Sequence, residues 1–561
     1  MTIVVESLPN EPLFHHILDA FRANPRFLLV YDWIKGTEAS CLQLLTDILC
    51  MRRRIVQTLP ASMFDSRNMI IPQRPFILVL APGNYDFVVA AFGVLCCGAA
   101  FSPISSNLSP EEAIYILELT NAACILFAPE FEEQASAIQQ HAASKENGSR
   151  PLITIPIASY NELPTPMPHV KIGQNMSMDP QSPGVLVFTS GTTGPPKGIV
   201  RPRSIWYTLP ESFPSGGVAL CFRPAVRGAT AMPLVWRAVN GVRTEIISDD
   251  TCQIWERLRT GDVTHLNMVP SSWRSFIRYF NEHIDVLPAN KRAEFLKGAR
   301  SLQKPVITGD FLEPKAMKLC RDLLGRHLIN IYGSTEMGAV ISTTKEQGSI
   351  IERCIGRPRE GVQVRLSEGD HGDILIKSPM MFTSYLGNEV ATRAAFDGEG
   401  YYRTGDVGRR VGDQYVLEGR SATDVIRCYG LWVPLQEVEA RLAELPYISE
   451  AYVVPVEFNC IQQIAALVRL TNVKLPPSLL DIQGDLQDKL QKYKLPTLLR
   501  ILRNGERILQ SAAGKLMRKE IAESYFQTSI KGELPREVEF CDAKAKAASG
   551  RRKAWDWAGM V

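Results

Sequence analysis

Apolar positions recur at helical spacing over residues 42–59, which predicts an amphipathic helix with one buried face. Residues 76–80 are then an unbroken apolar run, and such a short run bounded by turn residues predicts a buried strand. After Gly83-Asn84 a long, almost uncharged stretch, residues 87–104, is only about as long as the minimum for a membrane span. It is rich in Ala, Gly and Cys, and Ser102-Pro103 stands near its end. The better reading is a helix packed on a parallel sheet, with the next strand entered around Phe101. Residues 110–119 carry acidic residues early and apolar residues at helical spacing, which predicts another helix. Strands and helices thus alternate from about 75 to 130.

A polar, proline-richer connection covers about 131 to 183, and a second alternating region runs from about 217 to 345. Within it, residues 263–270 read as a strand stopped by proline. Residues 355–418 read as short strands with Gly/Asp turns. A helix over 436–445 and a strand over 451–456 fit a small α+β domain starting near 420. No internal repeat is present. The fold class expected is α/β: a large N-terminal domain of α/β subdomains plus a β-rich subdomain, with a small mobile α+β C-terminal domain. The boundaries expected are 1–419, 420–540, and a charged Lys/Ala/Arg-rich tail, 541–561, whose composition is open to disorder.

At 561 residues the chain is too long for one small domain. With 45% hydrophobic and 22% charged residues its composition is that of an ordinary globular protein. A net charge of +3 is too small to imply nucleic acid or an anionic membrane as partner. The 12 cysteines show no Cys-x-x-Cys and the 8 histidines no His-x-x-x-His, so no zinc or other transition-metal site is expected. Cys96-Cys97 lies within an apolar run and reads as buried or free thiols of a reducing compartment. No secretory signal or Ser-Lys-Leu address is evident, and a cytoplasmic location without a membrane span is expected.

The most informative stretch is residues 185–198. Val185 to Phe188 reads as the end of a buried strand. It breaks into a loop of Thr189, Ser190, Gly191, Thr192, Thr193 and Gly194 that closes on Lys197. The hydroxyls donate hydrogen bonds, the glycines let the backbone approach a bulky anion, and the lysine adds a point charge suited to phosphate. This is not a Walker A loop, because Pro196 precedes the lysine and Gly198 follows it. The pattern is also that of a flexible surface loop.

Thr189 to Gly198 resembles the phosphate loop of the adenylate-forming superfamily, which holds acyl-CoA synthetases, luciferase-like enzymes and the adenylation domains of peptide synthetases. Further motifs follow in the family's order. Asn330 to Glu336 resembles its Tyr-Gly-x-Thr-Glu motif, and Tyr402 to Asp406 its Arg-Thr-Gly-Asp motif. Gly419-Arg420, continuing through Asp424 and Arg427 to Gly430, resembles its hinge, and Ser511 to Arg518 its C-terminal lysine motif. The matches reach from about residue 80 to about 520.

The resemblance implies ATP-dependent activation of a carboxylic acid to an acyl-adenylate with pyrophosphate release, followed by transfer to CoA. ATP, Mg2+ and CoA are the cofactors implied. Two anions must meet at the α-phosphorus, so the site needs positive charge, a magnesium ion and a rigid base-and-ribose clamp. Glu336 is the magnesium-ligand candidate, since a hard carboxylate suits that ion. Thr335 is placed to contact the α-phosphate or the reacting carboxylate. Tyr332, beside Gly333, is suited to stacking on adenine; taken alone, Tyr332 and Glu336 read as a turn at the end of the apolar strand 328–331. Thr308-Gly309-Asp310 stands where the family has a Gly-rich adenine-site turn, and departs from its Gly-Gly form. Asp406 is suited to accept from both ribose hydroxyls, or to form a turn after Thr404-Gly405. Arg420 is suited to contact the ribose or phosphate side from the hinge. Lys515 is implied to reach the carboxylate and α-phosphate when the small domain closes. Gly430 is implied to border the channel for the pantetheine of CoA.

Two departures bear on specificity. Ser421 to Thr423 separates Arg420 from Asp424 by one residue more than the family pattern, so the pivot is not assigned. Cys221 to Arg227 lacks the histidine of a Pro-x-x-His-like motif. Arg223, Arg227 or Arg237 is able to pair with a second carboxylate on the substrate, or is an ordinary surface or packing arginine. Trp236 and Trp273 line an aromatic-acid pocket or pack the core. Three readings stand beside the CoA ligase: loading of an acyl or amino acid onto the pantetheine of a carrier protein, a luciferase-like oxygenase, and a catalytically silent nucleotide- or acyl-binding relative.

Overall fold

The computed structural model describes residues 5–108, 110–144, 152–158, 169–189, 196–207, 216–312, 314–344, 351–420, 424–428, 431–458, 461–471, 475–503, 505–509, 516–527 and 534–541. The chain is a mixed α/β protein with a large N-terminal part and a smaller C-terminal one. It divides into a unit of residues 1–363 and 376–402 and a unit of residues 364–375 and 403–561.

Two sheets build the first unit. One has seven strands in the spatial order Ser384–Tyr385, Lys197–Pro202, Pro183–Thr189, Ala100–Pro103, Phe76–Leu80, Cys124–Phe127 and Ile153–Pro156. From Pro183–Thr189 onward all neighbours are parallel. The expected strand over 76–80 is present and buried throughout. The uncharged run after it is the helix Tyr85–Cys96, buried along its whole length, with the Asn84 side chain accepting from the amide of Phe87. A helix apolar all round has to be covered on every side, and this one is sandwiched rather than inserted in lipid. Among the described residues no helix is long and apolar enough to cross a membrane.

In the second sheet the strands of this unit run in the order Cys354–Pro358, Gly338–Ser342, Ile329–Ser334, Lys304–Thr308, His265–Met268, Val218–Cys221, Arg243–Ile246, Leu28–Asp32 and Thr37–Ser40. Ile329–Ser334 through Leu28–Asp32 are mutually parallel. One core joins the two sheets: Val79, Phe101 and Val187 from the first and Ile246 from the second share a cluster with the helices Tyr85–Cys96, Gly228–Val239 and Cys41–Thr58. The stripe at 42–59 is that last helix. A buried ion pair ties this core down: Arg203 Nε and Nη2 lie 2.6 and 2.7 Å from the two Glu11 oxygens.

In the second unit the strands Tyr402–Val411 and Gln414–Arg420 form an antiparallel hairpin. A four-stranded sheet, in the order Ile448–Phe458, Ile461–Leu470, Leu498–Ile501 and Val538–Phe540, carries the helices Leu435–Ala443, Leu479–Leu486 and Arg518–Phe526. This is the α+β pattern expected from the helix at 436–445 and the strand at 451–456.

Candidate active site

The strand ending at Thr189 does more than feed a loop. It pairs antiparallel with Lys197–Pro202, and Thr189 and Lys197 are cross-strand partners at the open end of that hairpin. Ser190, Gly191, Thr192, Thr193 and Gly194 lie outside the described residues. A Walker-type loop runs into a helix and uses the helix N-terminus on phosphate. Here a strand and not a helix follows the loop, and the first residue of that strand is the cation, Lys197. The sequence reading does not show the second strand, because Gly198 and Pro202 stand within it.

Period-two alternation puts Lys197 and Arg201 on one face of that strand. Lys197 is exposed, and its Nζ stands 5.5 Å from the centre of the Tyr385 ring. Arg201 is fully buried, donates to the Met380 carbonyl and to Met232 Sδ, and is pushed down to about 10 by burial, an effect that Glu336 opposes.

Glu336 sits in the turn between Ile329–Ser334 and Gly338–Ser342. Tyr385 Oη donates to its Oε1 across 3.3 Å. Burial and the Glu336 charge push the Tyr385 phenol up to about 12, so it remains a donor at neutral pH. Tyr385 therefore touches both the loop lysine and the motif glutamate. Sequence reading missed it and Arg201: neither lies in a recognisable motif.

Tyr332 and Gly333 belong to the strand rather than to a turn after it, and Tyr332 is 9% exposed. Gly333 is required by a close approach, since a Cβ there would stand 2.2 Å from the Gly338 carbonyl oxygen. Thr335 Cγ2 is 3.7 Å from where a Cβ on Gly228 would be, which places it against the start of the helix Gly228–Val239. Gly309 has φ +93° and, with Asp310, forms an exposed turn at the carboxyl end of Lys304–Thr308. Thr308 Oγ1 donates to Asn267 Oδ1 on the neighbouring parallel strand at 3.1 Å. The carboxyl ends of parallel strands are the usual ligand crevice of such sheets.

The second unit holds Asp406 and Arg420. Asp406 lies within the strand Tyr402–Val411, opposite Arg420, and not in a tight turn. Arg420 Nε is 2.8 Å from Asp406 Oδ1, and Arg420 Nη1 donates to the Thr404 carbonyl at 3.0 Å. Beyond the hairpin, Asp424 bonds back to Arg420 through the backbone and accepts from Arg518 Nε at 3.1 Å. Arg518, the last residue of the lysine motif, also bonds Glu439 and the Val453 carbonyl and is 6% exposed. It anchors that motif to the hinge segment. Lys515 and Gly430 lie outside the described residues.

Trp273 Nε1 donates to the Val306 carbonyl and Trp236 Nε1 to that of Ile205; both rings are buried and pack the core. Glu336 offers a hard oxygen donor, and Tyr385 takes one of the roughly four acceptor sites of its carboxylate. Among the described residues no group of three or more His, Cys, Asp or Glu could hold a metal ion. That donor set fits Mg2+, which usually takes one or two carboxylates and fills its shell with water and substrate phosphates.

Residues 66–386 match the family model described as AMP-binding enzyme. The chain belongs to the AMP-binding enzyme family. Within it, the enzyme is of the acyl-CoA ligase type. It is 30% identical over 526 residues to acyl-CoA ligase oryP of Aspergillus oryzae (strain ATCC 42149 / RIB 40), covering 92% of this chain and 93% of that one. It is 24% identical to a malonate–CoA ligase of Arabidopsis thaliana, covering 80% and 77%. Its fold is that of the o-succinylbenzoate coenzyme A synthetase of Bacillus subtilis, solved with AMP, at TM-score 0.67, 19% identity and coverage of 91% and 98%.

Proposed function

We propose that this enzyme activates a carboxylic acid with ATP and delivers the acyl group to the thiol of CoA. A carboxylate oxygen attacks the α-phosphorus, the bond to the β-phosphate bridging oxygen breaks, and pyrophosphate leaves. The thiol sulfur then attacks the acyl carbon, its proton is released to solvent, and AMP leaves with the electron pair of the broken C–O bond. One observation carries the reading: Tyr385 lies against both Lys197 and Glu336, so the cation of the phosphate loop and the carboxylate of the Tyr-Gly-x-Thr-Glu motif are built into one place.

In this reading the loop from Thr189 to Lys197 holds the β- and γ-phosphates. Glu336 would hold Mg2+, which supplies charge neutralisation on the phosphates. Thr335 meets the α-phosphate or the reacting carboxylate, and the turn at Gly309-Asp310 with Tyr332 and Gly333 borders the base. Asp406 accepts from the ribose hydroxyls, and Arg420 holds Asp406 in place. Residues 420–540 act as the lid that brings Lys515 to the reacting groups, with Gly430 beside the pantetheine. We place the enzyme in the cytoplasm, since Cys41, Cys96, Cys97, Cys124 and Cys221 are buried free thiols, as a reducing compartment would keep them.

The test is ATP–pyrophosphate exchange with a panel of carboxylic acids, followed by an assay for the CoA thioester. Exchange together with thioester is the expected result. Exchange without thioester would remove CoA as acceptor and leave a carrier-protein pantetheine.

A further inference from the structure

The carboxyl ends of Val218–Cys221 and His265–Met268 and the first turns of Gly228–Val239 line a small, half-open recess of about 20 Å³, room for one water-sized group. Cys221, Arg223, Thr230, Arg237 and Asn267 are among its walls. A pocket for an aliphatic or aromatic acyl chain is lined mainly by apolar groups; this one has two guanidiniums. Arg237 is 7% exposed. Arg223 Nη2 is buried with no hydrogen-bond partner among the described residues. Burial lowers the pKa of both, and Arg227 adds repulsion at Arg223, with the charge of Asp249 acting in the opposite sense. A guanidinium taken out of water with a donor unmade is costly unless an anion arrives to take it.

The recess adjoins the reacting centre. Its helix starts at Gly228, which abuts Thr335, and Ala229 and Thr230 of the following turn line the recess. On the other side Asn267 bonds Thr308, the residue before the Gly309-Asp310 turn. The backbone at Arg223 is fixed by a close approach: a Cβ on Gly83 would stand 2.2 Å from the Arg223 carbonyl oxygen. An acid whose one carboxylate lies at Thr335 therefore has a cationic recess within reach of its other end.

We infer that the acid activated here carries a second carboxylate, and that Arg223, seconded by Arg237, holds it at the open mouth of this recess and sets the specificity. The inference rests on the ligase reading above. Its substrate class is a short dicarboxylic acid, with one carboxylate adenylated and the other held by the arginines.

The experiment is ATP–pyrophosphate exchange with the α,ω-diacids from malonate to suberate, each against its monomethyl ester, using the full chain. At least one diacid is expected to exceed its monoester in kcat/KM by about 100-fold, the scale on which a polar site rejects a ligand that leaves its groups unpaired. In Arg223→Gln that preference is expected to collapse to within about threefold through a raised KM for the diacid, and Arg223→Lys to regain part of it. Thr230→Asp gives the recess an internal carboxylate, and it is expected to abolish the preference even where Arg223→Gln fails to fold. Monoesters that match the diacids in the native enzyme, or a preference that survives both substitutions, would overturn the recess and leave the ligase standing. Absence of exchange with every acid, with ATP still bound, would overturn the ligase reading and the recess with it.

Discussion

Arg420 Nε lies 2.8 Å from Oδ1 of Asp406, joining the first hinge residue to the last residue of the Arg-Thr-Gly-Asp motif. The Asp406 side chain is 8% exposed and that of Arg420 57%, so an exposed arginine caps an anion that is almost wholly withdrawn from water. Asp406→Asn is expected to weaken ATP binding and lower exchange by about 100-fold, because the amide accepts fewer hydrogen bonds and loses the charge. Arg420→Ala should cost about tenfold. The double variant should cost less than the product of the two, since the side chains act as one unit. Calorimetric ATP titration and exchange rates read both effects.

Glu336 and Tyr385 should separate charge from hydrogen bonding. Glu336→Gln is expected to lower exchange by about 100-fold and to raise the Mg2+ concentration needed for half-maximal rate. Tyr385→Phe removes one hydrogen bond of about 1 kcal/mol and should cost about fivefold. A magnesium titration of both variants distinguishes them.

Lys515→Ala is expected to slow adenylation by about 100- to 1,000-fold while ATP still binds, as for removal of a single preorganised donor to a developing charge. Exchange rates measured beside ATP affinity check this. An unchanged rate would remove Lys515 from the reaction.

The Glu11–Arg203 pair is nearly solvent-free, at 2% and 1% side-chain exposure, and also receives Tyr207 Oη at 2.9 Å. Glu11→Ala leaves the guanidinium buried without its anion and should destabilise the chain by about 3–5 kcal/mol. Replacing the pair by leucine and methionine together should cost far less. Denaturant unfolding of the single and double variants measures the coupling.

Glu506 gives a pH dependence with a definite sign. Arg500 holds both its oxygens at 2.9 Å, and the amide of Arg503 donates at 2.7 Å, drawing the carboxyl from 4.5 down to about 2. A carboxyl depressed in the folded state contributes stability that is fully present above its unfolded value and lost as pH falls through the folded one. The native enzyme should therefore melt above Glu506→Gln at pH 7, with the gap closing between pH 4.5 and about 2. Melting temperatures measured down that range check it.

Much of the fold was legible because its signals are local. The buried helix after Gly83-Asn84 was readable from uniform apolarity, and the strand over 76–80 from a short bounded run. Asp406 and Tyr332 were named, but their settings were not. Thr404-Gly405 reads as a turn, yet pairing with Gln414–Arg420 holds Asp406 in a strand. Gly333 reads as a breaker, yet the approach of Gly338 makes it a strand residue.

The order of motifs along the chain was enough to determine the reaction class, because phosphate loops, carboxylate turns and glycine approaches depend on neighbours in sequence. Only tertiary structure decided that the strands flanking the phosphate loop pair with each other, that Tyr385 bridges Lys197 and Glu336, and that Arg223 and Arg237 share one recess. These relations join residues from 8 positions apart, Thr189 and Lys197, to 188 apart, Lys197 and Tyr385. They exist only because sheet pairing and a common core bring those residues together, and no local pattern of hydrophobic and polar positions encodes which distant groups a fold will make neighbours.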